Sequence, residues 1–155
     1  MNDYRPVAIS ANEEPLLSNR WALKLPDELK IEYYHVHSIG TMKYDIKKGR
    51  WNPVQIKIRE MVGGDARTNF AKMLDFFGQK KKRPTLELQL LDAVCEKVRG
   101  MYIEEYEVME VRSSDLDYSN DGLFLSSLII QPISVTIGEG EEALTYRNRK
   151  KFGLW

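Results

Sequence analysis

Trp51-Asn52-Pro53-Val54-Gln55-Ile56-Lys57-Ile58-Arg59-Glu60, followed by Asp65-Ala66-Arg67-Thr68-Asn69-Phe70-Ala71-Lys72-Met73-Leu74-Asp75-Phe76-Phe77-Gly78, is the stretch on which the fold turns. In its first half Val54, Ile56 and Ile58 alternate with Gln55, Lys57 and Arg59, the two-residue period of a strand with one buried face. In its second half the period changes. Ala66, Phe70, Met73, Leu74 and Phe77 fall at steps of three and four, which draws one apolar stripe down a helix. Gly63-Gly64 separates the halves, Asp65 is a candidate N-cap and Gly78 a C-terminal stop, so the spacing predicts a helix over about 65–78.

Every other strong signal is strand-like. On the N-terminal side Trp21, Leu23 and Leu25 alternate with polar or small residues until Pro26-Asp27. Tyr33 to Ile39 is rich in aromatic and branched residues, and Met42, Tyr44 and Ile46 alternate after Gly40, which predicts a hairpin; Lys48-Gly49-Arg50 turns the chain again. On the C-terminal side Leu86, Leu88 and Leu90 alternate. The run Gly100 to Val111 then places Tyr102, Glu104, Tyr106 and Val108 on one side and Met101, Ile103, Glu105, Glu107 and Met109 on the other. Carboxylates on a buried face are costly, so this strand is expected to reach beyond its own core or to meet another subunit. Ser113 to Gly122 is dense in turn formers, and Ser127 to Ile137 reads as a last strand with Ile129, Ile133, Val135 and Ile137 on one side.

Strands, one helix and strands again, with hardly a helical crossover, imply antiparallel pairing. The expected fold is mainly β: an antiparallel β-sandwich or barrel with one flanking helix and extended arms at both ends. The expected divisions are an N-terminal arm over 1–18, a β domain over 19–137 and a C-terminal arm over 138–155.

The chain has 155 residues, 43% of them hydrophobic, and its 23 basic residues balance 23 acidic ones. That length suits one domain with a core of its own. Zero net charge removes the global field that a nucleic-acid or anionic-membrane binder uses to gather its partner. Cys95 is the one cysteine, which rules out an internal disulfide and leaves too few thiolates for a Cys-based zinc site. The opening MNDYRPVAISANEEPLL has neither the basic start nor the apolar core of a signal peptide, and no window approaches the ~18 apolar residues of a span. A soluble protein without a membrane partner is expected.

Candidate chemistry is sparse. His35 and His37 share a side of a strand, but two ligands are not a metal site, and a Ser-His-Asp or Cys-His enzyme would have to draw its base from this pair. Asp115, Asp117, Ser119 and Asp121 resemble a calcium loop until the spacing is checked: Asn120 stands where the glycine should be and Ser126 where the glutamate should be. Gly63-Gly64 lacks the lysine of a phosphate-binding loop. Among the many carboxylates no two stand out as a glycosidase-like pair. No catalytic residue, metal or cofactor is expected.

What remains is charge pattern. Lys80-Lys81-Lys82-Arg83 is a dense basic run suited to an acidic patch on a partner; Glu139, Glu141 and Glu142 are acidic; Arg147, Arg149, Lys150 and Lys151 are basic; Phe152 and Trp155 add aromatic anchors at the end. Segregated signs on a neutral chain suit a subunit that binds copies of itself.

The order of landmarks resembles the tail tube proteins of contractile-tailed bacteriophages, a family related in architecture to secretion-system tube proteins. The Asn19-Arg20-Trp21-Ala22-Leu23-Lys24-Leu25-Pro26 strand, the Trp51 to Ile58 strand and the lone helix carry the first half. Tyr106 to Val111, Leu116-Asp117-Tyr118-Ser119 and Ile133-Ser134-Val135-Thr136-Ile137 carry the second. The resemblance implies a structural subunit of a virion tail: stacked hexameric rings whose lumen conducts DNA during ejection, with sheath and baseplate proteins as neighbours. It implies Glu104, Glu105 and Glu107 as candidate lumen lining, where carboxylates would repel DNA. It also implies ring or stacking contacts through the hairpin with Tyr44 and Trp51, through Lys81 and Arg83, and through the arm with Glu139, Glu141, Glu142, Arg147, Arg149 and Trp155. The tail beyond Ile137 exceeds the family's usual ends, which leaves a specialised baseplate or tail-end ring as the alternative, and a monomeric β-sandwich binding module as another.

Overall fold

The computed structural model describes residues 15–63, 66–79, 83–116, 119 and 122–149. Nine strands and one helix come in order: β1 (Trp21–Lys24), β2 (Val36–Ile39), β3 (Tyr44–Asp45), β4 (Arg50–Trp51), β5 (Val54–Arg59), α1 (Asn69–Gly78), β6 (Leu86–Leu91), β7 (Lys97–Ser113), β8 (Leu125–Ile137) and β9 (Leu144–Arg147). All pairings are antiparallel. The main sheet runs β1-β6-β7-β8-β5-β2, curling into an almost closed barrel with α1 on its flank, while β3 and β4 form a separate ribbon. The mainly β expectation with one helix holds.

The sheet closes around the residues whose alternation marks the strands. Val54, Ile56 and Ile58 face inward opposite Ile130, Leu128 and Ser126, and Leu23 faces Leu88 across the β1–β6 pair. Met73 and Phe77 bring the helix into the same cluster as Leu86, Ile103 and Tyr106. Tyr106 is buried with its hydroxyl donating to the Pro84 carbonyl at 2.9 Å, and burial pushes that phenol up to about 12.

Four details correct the sequence reading. Helix α1 starts at Asn69, not near 65, because the Thr68 hydroxyl accepts from the Ala71 N–H at 3.1 Å; Asp65 lies outside the described residues. Its buried stripe is Asn69, Met73 and Phe77, with Leu74 exposed and Ala66 ahead of the first turn. The hairpin expected between Tyr33–Ile39 and Met42–Ile46 does not form. Tyr33–His35 is a 3-10 turn, β2 pairs with β5, and the ribbon is β3 with β4, turned by Gly49 at a φ of 66°.

The fourth correction concerns β7 and β8. Register slips place extra residues at Glu104 and Met109 on β7 and at Ile133 on β8. Each such bulge flips the parity of the residues beyond it. On β7 the inward set becomes Met101, Ile103, Tyr106, Val108 and Val111, and Glu104, Glu105, Glu107 and Glu110 are all exposed. On β8 the buried set passes from Leu128, Ile130 and Pro132 to Val135, so Ile129, Ile133 and Ile137 are not the core face. The mixed charge that suggests a two-sided strand is sorted onto the outside by two extra residues.

Candidate assembly surfaces

Strand β8 is long enough to carry two partners on the edge away from β7: β5 lies along Leu125–Ile130 and β9 along Ser134–Ile137. Within the segment expected as an extended C-terminal arm over 138–155, Leu144–Arg147 is a strand paired with β8, and residues 150–155 lie outside the described residues. The sheet forks at Gln131–Ile133, where polar backbone would be left open. Trp51 and Asn148 fill the gap. Trp51 is 5% exposed and Asn148 4%. The Trp51 backbone N–H donates to Asn148 Oδ1 at 2.8 Å, its indole N–H donates to the Tyr146 carbonyl at 2.9 Å, and its carbonyl accepts from Gln131 Nε2 at 2.7 Å. Asn148 Nδ2 donates to the Pro132 carbonyl at 3.0 Å, and its backbone N–H to that of Ile133 at 2.8 Å. The Arg149 N–H donates to the Gly49 carbonyl at 2.8 Å. These bonds satisfy the groups of the fork and fix the β3–β4 hairpin to the strap beyond β9. The Arg149 side chain lies along Gly49, where an added Cβ would make it shift.

The outer edges of β1, β2 and β9 and one half of β7 carry no strand among the described residues, and two of these edges bound the same four-stranded layer. One is the outer edge of β2, the last strand of the sheet. The other is β7 from Glu104 to Ser113, because β6 ends its pairing at Ile103. They flank a four-stranded layer, β2-β5-β8-β7, on opposite sides.

The candidate residues fall into different settings. Glu104 accepts from the Thr136 hydroxyl, Glu105 pairs with Arg147 at 2.6 Å, and Glu107 is exposed with no side-chain partner among the described residues. Tyr44 is half-buried, edge-on to Trp51 at 5.2 Å. Trp51, expected at a contact between rings, is instead buried inside the subunit, because the fork in β8 needs it there. Arg83 turns back on α1, its guanidinium over the Phe77 ring at 5.6 Å and its NH1 donating to the Phe77 carbonyl at 3.4 Å. Glu141 and Glu142 are exposed on a 3-10 turn, Gly140–Glu142. Arg149 packs along Gly49, and Lys81 and Trp155 lie outside the described residues. Of the histidines, His37 accepts from Arg59 Nε at 3.2 Å. No group of three or more metal-ligating side chains occurs among the described residues. No helix among them is long and apolar enough to cross a membrane. Asn148 escapes the sequence reading, because a lone Asn in a basic run carries no periodic signal.

Glu139 anchors the acidic turn. Its carboxylate meets the Lys97 ammonium and the Tyr102 hydroxyl, and Lys97 also reaches Glu87 at 2.8 Å. The Lys97 contact holds the Glu139 carboxyl below the usual carboxylate range, with Tyr102 assisting, and lowers that of Glu87 as well; Glu139 and Glu87 in turn raise Lys97. Glu139 raises the Tyr102 phenol. Depressed carboxyl values mean that the stabilisation is complete above the ordinary carboxylate range and is lost as pH falls through the depressed ones. Amide protection over residues 138–143, corrected for the intrinsic pH dependence of exchange, is therefore expected to fall as pH drops below the ordinary carboxylate range, ahead of the β5–β8 core. Equal protection of both segments over that fall in pH would refute the anchoring role.

No protein-family model matches the chain, and no curated protein does. Solved structures do. A cryo-EM structure of the anti-feeding prophage cap, a tube-terminating cap, matches over 88% of this chain and 97% of its own, with a TM-score of 0.58 and 13% identity. The chain shares the fold of this tube-terminating cap. The PVC sheath/tube terminator of an extracellular contractile injection system, in its extended state, matches over 86% of this chain and 97% of its own at a TM-score of 0.55 and 11% identity. Hcp1 from Salmonella typhimurium matches over 81% and 90% at 0.50 and 12%. At such identities the likeness lies in the backbone. Within this tube fold the fork, the strap and the charge pattern are read from this chain's own residues.

Proposed function

We propose that the protein is a non-enzymatic structural subunit that closes into hexameric rings by edge-to-edge strand pairing, as part of a phage tail tube whose lumen conducts DNA. The observation that carries the reading is the pair of unpaired edges, β2 and the Glu104–Ser113 half of β7, on opposite sides of one four-stranded layer. A single subunit leaves both edges open to aggregation, whereas a ring pairs each with its neighbour's and removes them. Exposed carboxylates on β7, Glu107 among them, would stay wet beside such a lumen and repel DNA. Sheath and baseplate proteins are the expected neighbours, and the virion tail the expected place.

A terminal ring is the second reading, favoured by the likeness to a tube-terminating cap and a sheath/tube terminator. Negative-stain microscopy with light scattering on the purified chain tests both. Rings of six subunits are expected; long tubes at high concentration identify a repeated subunit, and isolated rings a terminal one. A strict monomer throughout the concentration range would overturn the ring.

A further inference from the structure

Between β1 and β2 the barrel stays open, because these two strands end the sheet and no strand among the described residues bridges them. The opening is a groove of about 730 Å³. Leu88 and Leu90 on β6 keep the parity of the core residue Leu86 and stand opposite Leu23 and Trp21 on β1. Leu23 is 1% exposed, yet Trp21, Leu88 and Leu90 are only half-buried, since they line the opening. Beside them Tyr33 and Tyr34 are 60% and 55% exposed. Three half-buried apolar side chains and two exposed rings in one groove make a contiguous surface that a soluble chain rarely leaves bare.

The groove has a sign as well. No carboxylate lines it among the described residues, whereas Arg59 does, donating to His37 Nδ1 at 3.2 Å and to the Tyr34 carbonyl at 3.4 Å. Those bonds fix a cation at the groove wall. Past Trp21 and Tyr33 the surface continues to Arg20 and Lys24, again without a carboxylate among the described residues.

The chain itself enters at the rim. Leu17, Ser18 and Asn19 line the groove, and the Arg20 N–H donates to the Leu17 carbonyl at 3.1 Å, a turn that reverses the chain just ahead of β1. Residues 1–14 lie outside the described residues, and their sequence complements the groove. Val7 and Ile9 are branched and two apart, so an extended segment presents both on one side, and Asp3, Glu13 and Glu14 outweigh Arg5. Pro6 lacks a backbone donor, which an outermost strand tolerates. Ile9 stands six residues ahead of Pro15, a reach of up to roughly 20 Å against roughly 13 Å for the length of β1.

We propose that residues 4–14 turn back into this groove of their own subunit, with Val7 and Ile9 seated on Trp21, Leu88 and Leu90 and the acidic side chains toward Arg59 and Lys24. The short tether favours the same subunit over a second copy, because it sets an effective concentration on the order of millimolar. The segment runs along the free edge of β1 and leaves the edge of β2 open to a neighbour.

Hydroxyl-radical footprinting reads the groove directly. The wild type is compared with a variant lacking residues 2–14 and with the full-length V7D/I9D. In both variants oxidation of Trp21, Tyr33 and Tyr34 is expected to rise at least about twofold, while oxidation of Trp51 and amide exchange in β5–β8 stay unchanged. Wild-type oxidation is expected to be constant from about 1 µM to about 100 µM protein, as an intramolecular contact requires. Equal oxidation of the groove in all three proteins would overturn the proposal and leave the groove to another partner. Wild-type protection that develops only as the concentration rises would overturn it in favour of a second copy. V7D/I9D keeps the whole chain and decides the matter if truncation loosens β5–β8.

Discussion

Trp51→Ala is expected to cost about 3–5 kcal/mol in urea unfolding, the range for removing a large buried aromatic. Against the roughly 5–15 kcal/mol that holds a typical domain, such a loss leaves the variant near the edge of folding. Part of the effect is the cavity left against Tyr44, and part is polar, because the Tyr146 carbonyl loses the indole N–H. Trp51→Phe separates the two. It keeps most of the apolar area and removes the indole donor, so a loss of about 1 kcal/mol is expected. Asn148→Ala strands the Trp51 backbone N–H and leaves the Pro132 carbonyl with the Gln131 amide as its side-chain donor, for about 1–3 kcal/mol. Trp51 and Asn148 share one network, and the double variant should therefore lose less than the sum of the single losses. A Trp51→Ala loss below about 1 kcal/mol would refute the fork as the point that holds hairpin and strap.

What can be read in the sequence divides along physical lines. Strand β5 is plain because Val54, Ile56 and Ile58 keep one parity from end to end and meet an equally regular stretch of β8. The helix is plain in type and displaced at its start, since its capping group is the Thr68 hydroxyl. Strands β7 and β8 are visible while their faces are misread. Bulges at Glu104, Met109 and Ile133 break the period of two, and nothing in those residue types announces an extra residue in a ladder. The partner of β2 is hidden for a different reason: Val36 and Ile39 fit any half-buried neighbour, and only the closing of the barrel selects Ile58 and Ile56. The candidate surfaces are legible as charge signs along the chain. That Trp51 is internal, and that Arg149 is bonded to the hairpin at Gly49, are tertiary facts with no local signature.

The same distinction singles out Glu60, one residue past β5, whose side chain the periodicity passes over. One carboxylate oxygen accepts from the Asn69 N–H at 2.7 Å; the other accepts from the Phe70 N–H at 2.9 Å and from the Ser126 hydroxyl at 2.6 Å. Two of the amides that a helix start leaves without intrahelical partners are thus tied to β8 through a single side chain, and its negative charge lies where the helix dipole favours it. Asn69 adds a bond from its side-chain amide to the Arg59 carbonyl at 2.9 Å. Glu60→Ala is expected to cost about 3 kcal/mol, because it strands two helix amides and the buried Ser126 hydroxyl at once. Ser126→Ala removes one of the three bonds together with its donor and should cost about 1 kcal/mol. Glu60→Gln should fall between them, since a neutral amide accepts with one oxygen and turns an N–H toward donors at the other. Amide exchange would show the loss first in α1, whose undocking uncovers Met73 and Phe77. Should Glu60→Ala cost no more than Ser126→Ala, the carboxylate is not what seats the helix, and the docking of α1 would rest on Met73, Phe77 and the Asn69–Arg59 bond.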